Sequence, residues 1–509
     1  MNSILALSKK SALPGDYRKL AYFGTVVLSA LIASQLILKL SPIQLVFLAA
    51  GVISLVISVR KPEIGVLMII VIISSIIKEE SLPVVRVPGG SFHATDIILL
   101  FLLFMIPFKM MTDRNFHYRR TPLDVPLFLF GLAFFISIGI SFFVRNVDFH
   151  LITLSVRLFM NYFLYFVLTN LIREKKQIRL LLYGMLAVSL VISLAIILQA
   201  ILGKSHAFLP TMGAGTYREI PGALRIGAPG HPVLFVMFIM TICALSQLNV
   251  PVLKSRYYYL LFIFGIALLL TFTRNYWVSI AISVILLALL VSKQQKKKMI
   301  VLFLGTAIVF GLIFPFLIDI LPRSYVNALS MRFGSLLTPS RTLSSGSLEG
   351  RRIENYYAWK SIRKNPVFGI GLYQVYRPRL SWMDIFKPGE EWPSTSYIHN
   401  GYLWILLDLG LFGFIPFIWF YVRFLMRGFS NWRKIKDPLE KSAVLGFTLG
   451  GCALAMSALV TPKFFEWAPI VVIGVIMGLS ETIITRNEEQ DKTGRSLVLK
   501  KAITMSKEV

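Results

Sequence analysis

Apolar runs long enough to cross a bilayer recur along this chain, and no other feature of the sequence restricts the fold as strongly. A run of about 20 apolar residues spans the hydrocarbon core. Within that core only helices and closed barrels satisfy their own backbone. Runs of this kind fall at 20–38, 42–59, 64–77, 94–111, 123–144, 151–172, 179–202, 230–248, 257–273, 275–292, 299–321, 398–424, 442–460 and 467–485. With 56% hydrophobic and 15% charged residues, the 509-residue chain is too poor in charge for a soluble protein of its length. The expected fold is all-α, a polytopic transmembrane helix bundle of about 12–14 spans with one large extracytoplasmic loop containing short helices.

Charge orients the bundle. Lys and Arg number 53 against 25 Asp and Glu, a formal net charge of +28. No groove-reading motif accompanies that excess, so no nucleic-acid partner is expected. If the N-terminus is cytoplasmic, strict alternation places RKPE (60–63), TDRNFHYRR (112–120), REKKQIR (173–179), KSR (254–256), KQQKKK (293–298) and RGFSNWRKIKD (427–437) inside. All are basic, as cytoplasmic connections should be. The opposite short connections, RNVDFH (145–150) and TPKFFEW (461–467), are poorer in Lys and Arg. The expected domains are a first block of transmembrane helices at 1–321, an outer loop at 322–397, the last transmembrane helices at 398–485 and a cytoplasmic tail at 486–509. Cys243 and Cys452 both lie in apolar runs and read as small buried hydrophobes.

Two outer segments are long, Gly203–Pro229 and Pro322–Tyr397. In the larger, GRRIENYYAWKSIRKNP (350–366) has helical character, with Tyr356, Trp359 and Arg363 on one stripe. Asn365-Pro366 ends it. The spacing predicts a short helix at the outer interface, with Tyr and Trp at headgroup depth.

Four polar groups fall on that outer side: RIGAPGHP (225–232), TFTRNYW (271–277), GRR (350–352) and IHNGYL (398–403). Arg274 stands between two apolar runs with almost no loop. It reads either as an arginine snorkelling to headgroups or as a phosphate clamp, since a guanidinium grips phosphate oxygens with a two-pronged fork. Arg225, Arg351 and Arg352 are weaker candidates for the same phosphate-clamp role, since loop arginines are more often solvated charge. Arg157 reads equally as a structural or a supporting charge. His399 opens the span at 398–424, and Ser394, Thr395 and Ser396 before it offer cap oxygens. A helix N-terminus favours an anion nearby and a neutral imidazole. Such an imidazole can take a proton from a hydroxyl. Asn400 beside it and His231 are further polar contacts. The outer loops hold Glu349, Glu354, Asp384, Glu390 and Glu391 but no close Asp-x-Asp pair of the kind that holds a divalent cation on a diphosphate. GIG (369–371) reads as a turn and no phosphate-binding loop is present. No metal or cofactor is expected, and the energy for any reaction resides in the donor.

TFTRNYW, GRRIENYYAWKSIRKNPVFGIGLYQV and STSYIHNGYLWILLDLGLFGF resemble the signature region of the O-antigen ligase and polymerase superfamily. RIGAPGHPVLFVMF is similar to that family's Arg-Gly-His-Pro-Asn stretch, departing from it at Val233. The resemblance covers roughly Arg225 to Phe414. It implies a metal-independent, inverting glycosyltransferase of the bacterial cytoplasmic (inner) membrane, with both termini cytoplasmic and the active site outside. The implied donor is a glycan on undecaprenyl pyrophosphate, and the implied acceptor is a glycan or glycolipid. Arg274 and Arg351 would hold the diphosphate, Arg225 would assist, and His399 would be the base. A ligase and a polymerase joining lipid-linked repeat units share this chemistry, and the sequence does not separate them. A secondary transporter or flippase of lipid-linked glycans is the alternative of another class, and it would place its ionisable residues near the bilayer midplane.

Overall fold

The computed structural model describes residues 55–77, 90–203, 223–248, 255–320, 346–380 and 395–505. It adds residues 84–87 and 217–220 and the isolated positions 51, 53, 79, 82, 327, 331 and 334. The architecture is all-α. In chain order the helices are α1 (Pro62–Ile73), α2 (Ala94–Thr112), α3 (Asp124–Gly139), α4 (Phe149–Met160), α5 (Leu164–Leu171), α6 (Lys175–Leu202), α7 (His231–Gln247), α8 (Arg256–Leu270), α9 (Arg274–Leu290), α10 (Lys293–Ile320), α11 (Gly346–Lys364), α12 (Gly401–Asn431), α13 (Pro438–Ser457) and α14 (Trp467–Met505). Two small antiparallel hairpins interrupt them. In one, β1 (Val85–Val87) pairs with β2 (Gly90–Phe92), Arg86 opposite Ser91. In the other, β3 (Tyr217–Ile220) pairs with β4 (Ala223–Ile226), Arg218 opposite Arg225.

Among the described residues, 7 helical segments are long and apolar enough to cross a membrane, and α1, α7, α8 and α9 are shorter apolar helices. Every expected span from residue 64 onward coincides with a helix. The first expected span lies outside the described residues, and the second mostly so. At the centre are α7, α13 and α14; the apolar stretch of α14 is 94% buried. Small residues let these helices approach closely, as membrane helices do without a hydrophobic force between them. A Cβ on Gly446 of α13 would stand 2.5 Å from the Met240 Cα of α7. At the rim, α2 and α3 turn Phe104, Phe128 and Phe135 outward, where a bilayer would cover them.

Two expected spans are not continuous. The run at 151–172 divides into α4 and α5 across a 3-10 turn at Asn161–Phe163. There the Asn161 amide donates to the Arg157 carbonyl at 2.8 Å, replacing a helical bond with a side-chain one. The second break is in α12 at Gly410, where φ is +62°. A Cβ there would meet the Val367 carbonyl oxygen at 2.2 Å. The turn after α11 fills this break. Ile370 N–H donates to Leu407 O at 2.8 Å, Leu411 N–H to Pro366 O at 2.9 Å, and Phe412 N–H to Val367 O at 2.9 Å. Gly369 and Gly371, read as a turn from the sequence, both have positive φ.

The connections expected inside gather at one end of the bundle. Gln177 bonds Glu63 at 2.9 Å, Arg119 bonds Glu489 at 2.9 Å, and Lys175 pairs with Asp437 at 2.7 Å. At the other end lie the starts of α7, α9, α12 and α14, together with α11. Replacing Gly410 with Ala should destabilise the fold by at least about 1–2 kcal/mol from the left-handed backbone alone. Thermal unfolding of the protein in detergent measures this, and an unchanged midpoint would show that the break does not hold α11 in place.

Candidate active site

The α11 sequence separates two faces. Arg351, Glu354, Ala358 and Ile362 follow helical spacing on one. Glu354, Ala358 and Ile362 are buried there, the last two against Ile398, Trp404 and Leu407 at the start of α12. Tyr356 and Trp359 face outward, as does Arg352, whose side chain is 81% exposed and pairs with Glu349 at 3.6 Å. The structure therefore does not bring Arg352 to the other candidates.

A carboxylate buried this way needs partners, and Glu354 finds them on His399. The His399 backbone N–H donates to its Oε2 at 2.9 Å, and the ring Nδ1 lies 3.0 and 2.9 Å from the two carboxylate oxygens. With Nδ1–H donating to the carboxylate, Nε2 is left as the acceptor. The imidazole keeps 39% of its surface exposed while Glu354 keeps 3%, so the ring is anchored from behind and open in front. Tyr397 packs edge-on against the ring, with centroids 5.0 Å apart, and against Trp404 at 5.2 Å. Burial raises the Tyr397 hydroxyl well above its ordinary pKa, and the charges of Glu466 and Glu354 push the same way.

Arg351 lies one helical turn before Glu354. Burial lowers its pKa, Glu354 counters this, and the neighbouring charge of Arg274 lowers it further. Arg274 begins α9, far from α11 in sequence, so the fold brings two guanidinium groups within electrostatic range. The Arg351 Nε is buried and has no hydrogen-bond partner among the described residues. A buried orphan donor beside a second cation fits an incoming anion.

His231, at the start of α7, bonds Ala228 O through Nδ1 at 2.5 Å, and its ring lies 5.2 Å from that of Tyr276, two residues after Arg274. Val233 is fully buried. Arg225 is placed by its backbone alone, on β4; its side chain lies outside what is described. Arg157 takes the structural alternative: it pairs with Asp96 at 2.7 Å and Glu79 at 3.7 Å and lies over Trp467.

Asn400 is the N-cap of α12. Its oxygen accepts from Tyr402 N–H at 3.0 Å and Leu403 N–H at 3.2 Å. Gly401 N–H donates to Ala458 O at 2.8 Å. The first donors of α12 are therefore already used, and this helix end offers no anion seat of the kind expected from the sequence. The cap comes from Asn400, not from Thr395 or Ser396; Ser394 lies outside the described residues.

Sequence reasoning missed Glu354 as a partner of His399, and it passed over Lys463, Glu466 and Tyr397. The spacing of Arg351 and Glu354, three apart on a predicted helix, was the available signal. For Lys463 there was none, because it sits in a connection that counts as poor in charge.

Residues 259–418 match the family described as O-antigen ligase. That segment is under a third of the chain, and over it the chain is similar to the O-antigen ligase superfamily. Together with the long apolar helices, this match supports a membrane protein of glycan assembly. The matched segment runs from α8 past the break in α12 and holds Arg274, Arg351, Glu354 and His399. His231, Lys463 and Glu466 lie outside this O-antigen ligase segment. No curated protein matches the chain.

The role of Asn400 is open to a direct check. Asn400→Ala should cost about 0.5–2 kcal/mol as a lost cap, and Asn400→Asp should restore most of it. Unfolding midpoints measure the cost, and an Asn400→Ala protein as stable as the parent would remove the cap assignment.

Proposed function

We propose that the protein transfers a glycan from an undecaprenyl-pyrophosphate-linked donor to an acceptor hydroxyl at the outer face of the cytoplasmic membrane. The reading is that of an O-antigen ligase-like enzyme of surface-polysaccharide assembly, inverting at the anomeric carbon and independent of metal. The observation that carries it is the union of an imidazole anchored by a buried carboxylate with two guanidinium groups from separate helices, all at one end of the bundle.

The geometry supports the following roles. His399 Nε2 removes the proton of the acceptor hydroxyl, and the resulting imidazolium is stabilised by Glu354 through Nδ1–H. The acceptor oxygen attacks the anomeric carbon from the side opposite the diphosphate. The bond from that carbon to the diphosphate oxygen breaks, and undecaprenyl pyrophosphate leaves with the electron pair. Arg274 and Arg351 meet the charge that develops on it. Because they are oriented before the reaction, little reorganisation is required. Two arginines suit the task that divalent cations perform in other diphosphate-using sites. Asn400 acts through the cap of α12, and Arg225 and His231 are retained as neighbours of the donor.

His399→Ala should lower transfer by about 10²–10⁴-fold in a reconstituted assay with a lipid-linked donor. Turnover near that of the parent would remove His399 as the base. Arg274→Lys keeps the charge but loses the fork, so it should fail to restore the parent rate; full activity would leave Arg274 with a headgroup contact alone. In a deletion strain, free polymer that is no longer attached to its acceptor supports the ligase. Single repeat units still attached to it would instead assign the chain as a polymerase.

A further inference from the structure

The end of α13 and the connection from it to α14 touch both halves of the site. Towards Arg274, Asn275 donates to Ser457 Oγ at 2.8 Å. Towards His399, Gly401 N–H reaches Ala458 O, and the Phe465 ring stacks on Trp404 at 4.7 Å. In the middle of that connection lies an ion pair between Lys463 and Glu466.

That pair is lopsided. An ion pair three residues apart in a short surface connection normally leaves both ends in water. Here the Lys463 side chain is 6% exposed and that of Glu466 is 35% exposed. The ammonium is drawn inward, 5.7 Å from the centre of the Tyr276 ring. Tyr276 is on the first turn of α9, two residues after Arg274, and it stacks on Phe235 at 4.1 Å. Burial works against the Lys463 charge, but Glu466 and Tyr276 outweigh it and hold the ammonium above its ordinary pKa. Glu466 also acts on Tyr397, the residue packed against His399. The pair therefore lies between the Arg274 turn and the base, with its anion on the solvent side.

We propose that Lys463 is a third cation of the diphosphate site, neutralised by Glu466 until a diphosphate displaces that carboxylate. The proposal rests on the reading of Arg274 and Arg351 given above and extends it to a residue outside the matched segment. Glu466 is open enough to swing into solvent, and the freed ammonium offers donors to phosphate oxygens. The two partners then act in opposite directions on the same ligand. Lys463 adds to the attraction and Glu466 competes with it.

The test is calorimetric titration of the full-length protein in detergent with inorganic pyrophosphate. Lys463→Met should bind roughly tenfold more weakly, as for a lost charge-assisted contact. Lys463→Arg should recover most of the affinity. Glu466→Gln should bind several-fold more tightly, because the competing anion is gone. A purely structural ion pair predicts the contrary for Glu466→Gln, since it would strand a buried ammonium and loosen the site. Weaker binding by Glu466→Gln overturns the proposal even if Lys463→Met does not fold. If Arg274→Met and Arg351→Met lose pyrophosphate while Lys463→Met binds like the parent, the proposal fails and the reading of the arginines stands. If Arg274→Met and Arg351→Met also bind like the parent, that reading fails and the proposal falls with it.

Discussion

Inside hydrocarbon, a helix can be interrupted only where something else takes up its backbone hydrogen bonds. The break in α12 at Gly410 meets that demand by drawing the turn at 366–371 against it, carbonyl to amide on both strands of the contact. The turn is the C-terminal continuation of α11. Docking it fixes the end of that helix, and the buried face from Arg351 to Ile362 then has one seat on the start of α12. Glu354 meets His399 because of this. A glycine in the membrane thus sets the orientation of an imidazole in the site.

Both ends of the bundle carry ion pairs, at the outer end Arg157 with Asp96 and Lys463 with Glu466, but the candidate site also gathers like charges. At the end expected to be cytoplasmic, cations find anions. Arg427 is gripped by Glu481 and Glu488, Arg486 by Glu440, and Asp437 is shared by Lys175 and Arg179. Those pairs tie distant helices together. At the other end, Arg274 and Arg351 are brought within each other's field, and one donor of Arg351 has no partner among the described residues. Gathering like charges costs folding energy unless something compensates. Sites that bind or react with charged ligands are where such costs are concentrated.

The spans were legible because hydropathy is a property of each segment on its own. Both breaks escaped that logic. Asn161 reads as one polar residue in an apolar run, and Gly410 as one small residue, until the elements that fill around them are known. Arg274 and His399 were visible because a charged or titratable group beside a membrane span is conspicuous. Glu354 was not, because its meaning lies in a partner 45 residues away. The cap role of Asn400 was not read from the sequence, because an amide next to a candidate base suggests a substrate contact, while its position before Gly401-Tyr402-Leu403 is that of a cap. Arg352 looked equivalent to Arg351, yet one residue of helical rotation separates a half-buried guanidinium from a solvated one.

The hairpin that clasps the starts of α9 and α12 is synthesised after both of them. A nascent chain that has inserted everything up to Asn431 still lacks Ser457, Ala458 and Phe465, the groups that hold those two helix starts together. Until that hairpin enters the bilayer, the arginine and the imidazole belong to helices with no common support. The two helix starts therefore gain their common support only after that hairpin has entered the bilayer.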